Sequence, residues 1–292
     1  MTLLSYQIFQ TVVEQGSFQQ AAQVMNLTPS AISHAISTME KELGFPLFNR
    51  NKNGITLTSY GENLQPYILT VLNSDTKLQQ AISEFNGLTH GSVKLGTFSS
   101  VCTSFIPDIV SDFSKKHPNI EIKIYQGTYD DVYNWLKTGV VDIGFLSESS
   151  CKELNLTPVY DDELLVITPK NYKTKHKEFI EISELDGEKF ISQRESTDAD
   201  IQEIFRKYKL NIHSSCHVVD DLSQIAMVAA GLGICIMPML VMQNIPYDVN
   251  TYVLNPSEHR TIGICSINDE LMAPAVKSMH KHILNYFKSI RK

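Results

Sequence analysis

The chain has 292 residues, 42% hydrophobic and 20% charged, with a formal net charge of −7. The length exceeds one average domain, and the composition excludes disordered and collagen-like classes. Five cysteines are scattered without a Cys-x-x-Cys pair, and Met1-Thr2-Leu3-Leu4 does not begin a signal peptide, so a reduced, cytoplasmic protein is expected.

Leu4, Ile8, Phe9 and Val12 repeat at helical spacing up to Gly16. Ser17 to Gln20 fits a capping box that opens a second helix with the small residues Ala21 and Ala22 inward. Thr28 caps a third helix with Pro29 at its first position. That helix divides by face: Ile32, Ala35, Ile36 and Met39 on one side, Ser30, Ser33, His34 and Ser37 on the other. A polar stripe alone is most often a solvated face. Behind a helix and a tight turn, it reads as the recognition helix of a helix-turn-helix. After Gly44, Asn53-Gly54 signals a hairpin, a wing carrying Arg50 and Lys52 where they could meet phosphates. Residues 1–65 hold Lys41, Arg50 and Lys52 against Glu14, Glu40, Glu42 and Glu62, so DNA binding here must rest on geometry rather than bulk charge.

The run Gly16-Ser17-Phe18-(x2)-Ala21-Ala22, Thr28 to Ser33, Glu40-(x2)-Leu43-Gly44-(x2)-Leu47-Phe48-(x)-Arg50 and Leu57-Thr58-(x2)-Gly61 resembles the LysR-type transcriptional regulators. The resemblance implies a winged helix-turn-helix over residues 1–58 whose third helix enters the major groove of double-stranded DNA. Thr28, Pro29, Ser30, Ser33, His34 and Arg50 match the family's DNA-facing positions. Family members often carry Gln where Pro29 stands, so base readout must come from elsewhere on this helix.

Residues 59–89 form the next unit. Leu64, Ile68, Val71, Asp75, Leu78, Ile82 and Phe85 alternate four and three apart, a coiled-coil seam. Ser59 and Glu62 offer a capping box, Gly87 a stop, and Pro66 a bend or an interruption. The alternative is a helix packed on its own domain. The resemblance favours a homodimer through residues 59–87, and a homotetramer built from it.

Residues 90–292 alternate strand and helix, which argues a mainly parallel sheet. Expected strands are Val93–Gly96, Ile120–Tyr125, Val141–Leu146, Leu164–Thr168, Lys189–Ser192, Ile212–Val219, Ile234–Met237 and Thr261–Ile267. Expected helices cover Val101–His117, Asp130–Thr138, Asp198–Lys209, Leu222–Ala230 and Pro274–Ile290. The arrangement resembles a two-lobed, periplasmic-binding-protein-like α/β effector domain, with lobe I at 90–165 and 268–292 and lobe II at 166–267. Ligands of such sheets bind beyond the carboxyl ends of strands. That singles out Thr97, Phe98, Ser99, Ser100, Thr128, Phe145 and Ser147 in one lobe, and Gln193, Arg194, Thr197, His217 and Val218 in the other. Each hydroxyl by itself is more often a helix cap. Helix starts near Ser100 and Thr197 would aim amides into the cleft and suit a small polar or anionic metabolite, although Glu195 and Asp198 oppose an anion.

Ile225–Met242 is free of charge for eighteen residues, but Gly231, Gly233 and Pro238 divide it into a helix, a turn and a buried strand rather than a membrane span. His213 and His217 sit four apart on a strand, ~13 Å and too far to chelate one metal. His280 and His282 point apart on a helix. Catalytic motifs, a cofactor and a metal are not expected. Cys216 reads as a structural thiol. The function expected is a sequence-specific regulator on an imperfect inverted repeat, tuned by an effector. The alternative is a ligand-binding or catalytic α/β protein whose N-terminal module only contacts other proteins.

Overall fold

Two compact units divide the chain in a computed structural model, one of residues 1–90 with 137–140 and 271–274, the other of the remainder. The structure describes residues 1–51, 54–85, 91–194, 199–243, 245–266 and 272–290. The predicted Lys52, Thr197 and Gly87, and the side chain of Arg50, lie outside what is described.

In the first unit, α1 (Leu3–Gln15) begins with Thr2 and Ser5 capping each other reciprocally. Helix α2 (Phe18–Val24) starts at Ser17, whose hydroxyl accepts from the Gln20 amide at 3.5 Å. Helix α3 (Pro29–Leu43) starts at Thr28 and stops at Gly44, whose φ of 82° is the left-handed conformation that glycine adopts without a Cβ penalty. Ile32, Ile36 and Met39 pack against Ile8, Phe9, Val12, Ala21 and Ala22. Each fully buried Ile there contributes about 1.5–3 kcal/mol. Strands β1 (Phe48–Asn51) and β2 (Gly54–Leu57) form the wing. Asn51 pairs with Gly54, so Gly54 opens the return strand instead of occupying the turn.

Helix α4 (Ser59–Phe85) departs from expectation three times. Its cap is Thr58, whose Oγ1 accepts from the Gly61 amide at 3.1 Å, and Ser59 is the first helical residue. Pro66 does not interrupt it. Leu64, Ile68 and Leu72 pack on the first unit's core, and that burial carries the helix through the missing backbone bond. The seam is therefore split: its early members face their own domain, while Val71, Leu78 and Ile82 are exposed together with Tyr60 and Tyr67. Gly61 is required by close approach, since a Cβ would sit 2.4 Å from the Leu47 carbonyl oxygen.

The second unit is built on a mixed sheet in the order β10-β6-β11-β5-β3-β4, with β7 also on β11. Its members are β3 (Gly91–Thr97), β4 (Ile120–Gln126), β5 (Ile143–Ser147), β6 (Leu156–Pro169), β7 (Phe179–Glu181), β10 (Cys235–Pro238) and β11 (Val249–Cys265). Strands β3, β4 and β5 are parallel, whereas β11 runs antiparallel to β5 and β6, and β10 antiparallel to β6. The strands expected at Leu164–Thr168 and Thr261–Ile267 are the ends of two much longer ones. Polar stretches in their middles, Asp161-Asp162-Glu163 and Ser257-Glu258-His259, disguised the earlier parts as loops. Strands β8 (Lys189–Gln193) and β9 (His213–Val218) pair in parallel, and Phe190 bridges to Ile234 beside β10.

The helix expected over Val101–His117 is two helices, α5 (Ser99–Ser104) and α6 (Ile106–Lys116), meeting at Phe105. In a continuous helix the ring of Pro107 would collide with the Thr103 carbonyl. Helices α7 (Tyr129–Thr138), α8 (Ala199–Tyr208), α9 (Asp221–Ala229) and α10 (Pro274–Ile290) complete the unit.

Candidate functional site

On α3, the outward row of Thr28, Pro29, Ser30, His34 and Ser37 is exposed, and Ser33 is half-buried. Thr28 Oγ1 accepts from the Ala31 amide at 3.2 Å and lies 3.0 Å from Ser30 Oγ. The hydroxyl row thus begins on an ordered cap. Glu40, further along α3, accepts from the Leu47 and Phe48 amides at 2.7 and 3.2 Å, fixing the wing to the helix that it flanks. Phe48 packs into the core, tilted against Phe9 and edge-on to Phe18. The wing's backbone is also held by the Ile55 amide donating to the Gly16 carbonyl. A short-chained polar helix face beside a pinned hairpin can lie close to a nucleic-acid groove.

In the second unit a cavity of about 370 Å³ opens between the ends of β3, β4 and β8 and the starts of α7 and α9. Its polar centre is Arg260, on β11 directly across from Asp162 on β6. Arg260 Nε and Nη2 donate to Asp162 Oδ2 at 3.0 and 2.7 Å, Nη2 to Ser100 Oγ at 2.8 Å, and Nη1 to Tyr129 Oη at 2.8 Å. Its charge also lies 5.3 Å from the Phe98 ring centre. Burial works to lower the Arg260 pKa, but Tyr129, Asp162 and Asp200 outweigh it, so the guanidinium stays charged. Burial raises the Asp162 carboxyl, and Arg260 pulls against that rise. Burial likewise pushes the Tyr129 hydroxyl far up, keeping it a neutral donor to Asp200 at 3.0 Å. Asp200 also accepts from Ser147 and Ser149. On the far wall, Gln193 Nε2 donates to Asp221 Oδ1 at 2.6 Å, and burial raises that carboxyl.

Of the residues singled out from sequence, Phe98, Ser99, Ser100, Thr128 and Gln193 line the cavity. Thr128 already serves as a cap, its amide and hydroxyl donating to Asp131 Oδ2 at 2.8 and 2.7 Å. Others lie off the wall. Thr97 is fully buried in the strand, and Phe145 belongs to the core against Phe287. Ser147 stands behind Asp200, while Arg194 and His217 are exposed and Val218 packs into a core cluster. These corrections share a cause: on a strand, neighbouring residues face opposite sides, so counting back from a strand end mixes wall with core. Helix α5 does start at Ser99, near Ser100 as expected, and Phe98 gives it no side-chain cap, but it is only six residues long. Sequence reading missed Tyr129, Asp200, Asp221, Gln224 and Arg260. Arg260 left a trace: it falls in register with Ile262 and Ile264, an ionic residue on the buried face of a strand.

Residues 3–62 match the profile described as a bacterial regulatory helix-turn-helix protein of the lysR family, and residues 86–288 match the LysR substrate binding domain. The chain belongs to the LysR family of transcriptional regulators. Among relatives of this LysR-type chain is YvbU, an uncharacterized HTH-type transcriptional regulator of Bacillus subtilis, 30% identical over 90% of this chain and 91% of that one. Full-length OxyR of Pseudomonas aeruginosa shares the fold with a TM-score of 0.76 at 18% identity, covering 99% of this chain and 95% of OxyR. Full-length CbnR complexed with its target DNA superposes at 0.65 and 16% identity, covering 98% and 99%. Membership makes this a DNA-binding regulator with an effector-binding domain. Among the described residues, no helix is long and apolar enough to cross a membrane.

Proposed function

We propose that the regulator reads promoter DNA with the outer face of α3, as a cytoplasmic, non-catalytic homo-oligomer whose hold on DNA is retuned by a small polar metabolite in the Arg260 cavity. Thr28, Ser30, Ser33, His34 and Ser37 meet base edges and phosphates, with Pro29 packing alongside. Arg50 and Lys52 of the wing anchor phosphates. The observation that carries this reading is the division of α3: Ile32, Ile36 and Met39 are buried at 0–1% exposure while the row opposite stands open. The complex of CbnR with its target DNA supports it by analogy of fold.

The working division is 1–58 for reading DNA, 59–89 for pairing and 90–292 for sensing. Tyr60, Tyr67, Val71, Leu78 and Ile82, spaced seven and four apart on α4, are exposed apolar residues at coiled-coil spacing. Pairing through them makes a dimer, and two dimers a tetramer. The operator is then an imperfect inverted repeat. Titration of the chain against the DNA upstream of its own coding region tests the reading. Salt-dependent, sequence-selective retention is expected, and equal affinity for scrambled DNA would overturn it.

A further inference from the structure

The charges around the cavity do not balance. Four carboxylates line it, those of Asp131, Asp200, Asp220 and Asp221, and Arg260 is the cationic side chain among the described lining residues. Arg260 is already matched by Asp162, and its guanidinium spends N–H donors on Asp162, Ser100 and Tyr129. It offers an incoming anion little charge that is not already countered. Asp131 and Asp220 each accept a backbone amide, from Thr128 and Ser223, at the starts of α7 and α9. Asp200 and Asp221 also lie in first helical turns, which offset part of their charge, but their side-chain partners are neutral. Asp200 accepts from the hydroxyls of Tyr129, Ser147 and Ser149, and Asp221 from the side-chain amide of Gln193. Neutral donors hold a carboxylate in place without cancelling its charge. In a recess walled by Phe98, Ile201, Phe205, Met237 and Val241, that charge is screened less than at the surface.

We propose that the cavity takes a small organic cation, a primary ammonium on a compact apolar body, with the ammonium held by Asp221 and Asp200 and the body against the apolar wall. This rests on the reading of the cavity as the effector site and selects, within small polar metabolites, the amines. Burial raises the Asp221 carboxyl more than the Gln193 amide and the charge of Arg260 lower it, and an ammonium beside it would supply a nearer countercharge. Matched acids would place a second negative charge against both aspartates. An α-amino acid, bearing both groups, ranks between.

Calorimetric titration of the full chain with 2-phenylethylamine, L-phenylalanine and 3-phenylpropionate distinguishes these classes, because the three share one apolar body and differ in charge. The amine is expected to bind at least tenfold tighter than the acid, with the amino acid between them. Asp221→Asn, which keeps the size and can keep the Gln193 contact, should weaken the amine at least tenfold and leave the thermal midpoint of the free protein within a few degrees. Tightest binding by the acid, or no binding by the amine, overturns the proposal. Val219→Trp separates that failure from failure of the site. Val219 lines the cavity while 58% exposed, so an indole there obstructs the cavity with little demand on the core. Acid binding that Val219→Trp abolishes leaves the cavity as the effector site and refutes only the cation. Amine binding unchanged by Val219→Trp places it elsewhere and refutes both.

Discussion

Replacing Arg260 with Met removes the charge but keeps much of the side chain's length, and the cost follows from what remains. Asp162 is left with a side chain of 0% exposure that accepts from the Leu240 amide at 3.1 Å. Ser100 and Tyr129 each lose a partner. Breaking a buried pair by removing one member typically costs about 3–5 kcal/mol, because the other charge stays buried without compensation. For a unit of this size that corresponds to a fall in thermal midpoint on the order of 10 °C. The loss should also depend on pH. Burial raises the Asp162 carboxyl and Arg260 opposes the rise, so in the variant its folded pKa climbs further above the unfolded value. A carboxyl raised in the folded state contributes stability that is present below its unfolded pKa and lost as pH rises through its folded pKa. The deficit of Arg260→Met should therefore be larger at pH 8 than at pH 5. Circular dichroism melts of both proteins at the two pH values measure it. A deficit under about 1 kcal/mol, or one equal at both pH values, would refute the account of Asp162 as a buried charge held by Arg260.

Arg50→Ala should weaken all DNA sequences alike and lower the salt slope by about 1, whereas His34→Ala should reduce discrimination between operator and scrambled DNA; fluorescence anisotropy across a salt series separates the two. Leu78→Asp, at an exposed position of α4, should leave the melt almost unchanged but raise the concentration for self-association about tenfold or more by sedimentation, as one uncompensated charge in an apolar seam does. Gly61→Ala forces a methyl against the Leu47 carbonyl and should destabilise the first unit by about 1–3 kcal/mol in urea, with operator affinity falling in step.

The first unit was legible almost residue by residue because its signals are local. Thr28, Pro29 and Gly44 mark the ends of α3 by their own backbone chemistry, and the apolar positions of α3 repeat within a few turns. Where a tertiary contact decided, the reading slipped. Leu64 and Ile68 fit a dimer seam by spacing but bury against the helical core, and Thr58 displaced Ser59 as the cap. The second unit yielded the order of its elements but few of its cavity residues. Arg260 and Asp162 are neighbours only through cross-strand pairing, and Tyr129 meets Asp200 across a long stretch of chain. Such meetings leave no periodicity to read. Asp200 and Asp221 would each pass for helix-start residues favoured by the helix dipole, and only the cavity distinguishes them.

The pairing of β6 with β11 also has a consequence for how the protein is made. All of residues 170–248 are synthesised between these two strands, and β5 also waits for β11 as its antiparallel neighbour. At about 5–20 residues per second, the ribosome leaves the central sheet without its middle strand for roughly 5–20 s. During that interval β6 carries Leu164, Leu165, Val166 and Ile167 with an unfilled edge, the feature that draws in other strands. The three N-terminal helices and the wing, closed by contacts near in sequence, can be packed by then, although residues 271–274 of that unit are still to come. Newly made chains would thus pass through a stage with a finished DNA-reading head and an unfinished sensor, and the nascent β6 is where a chaperone would have most to protect.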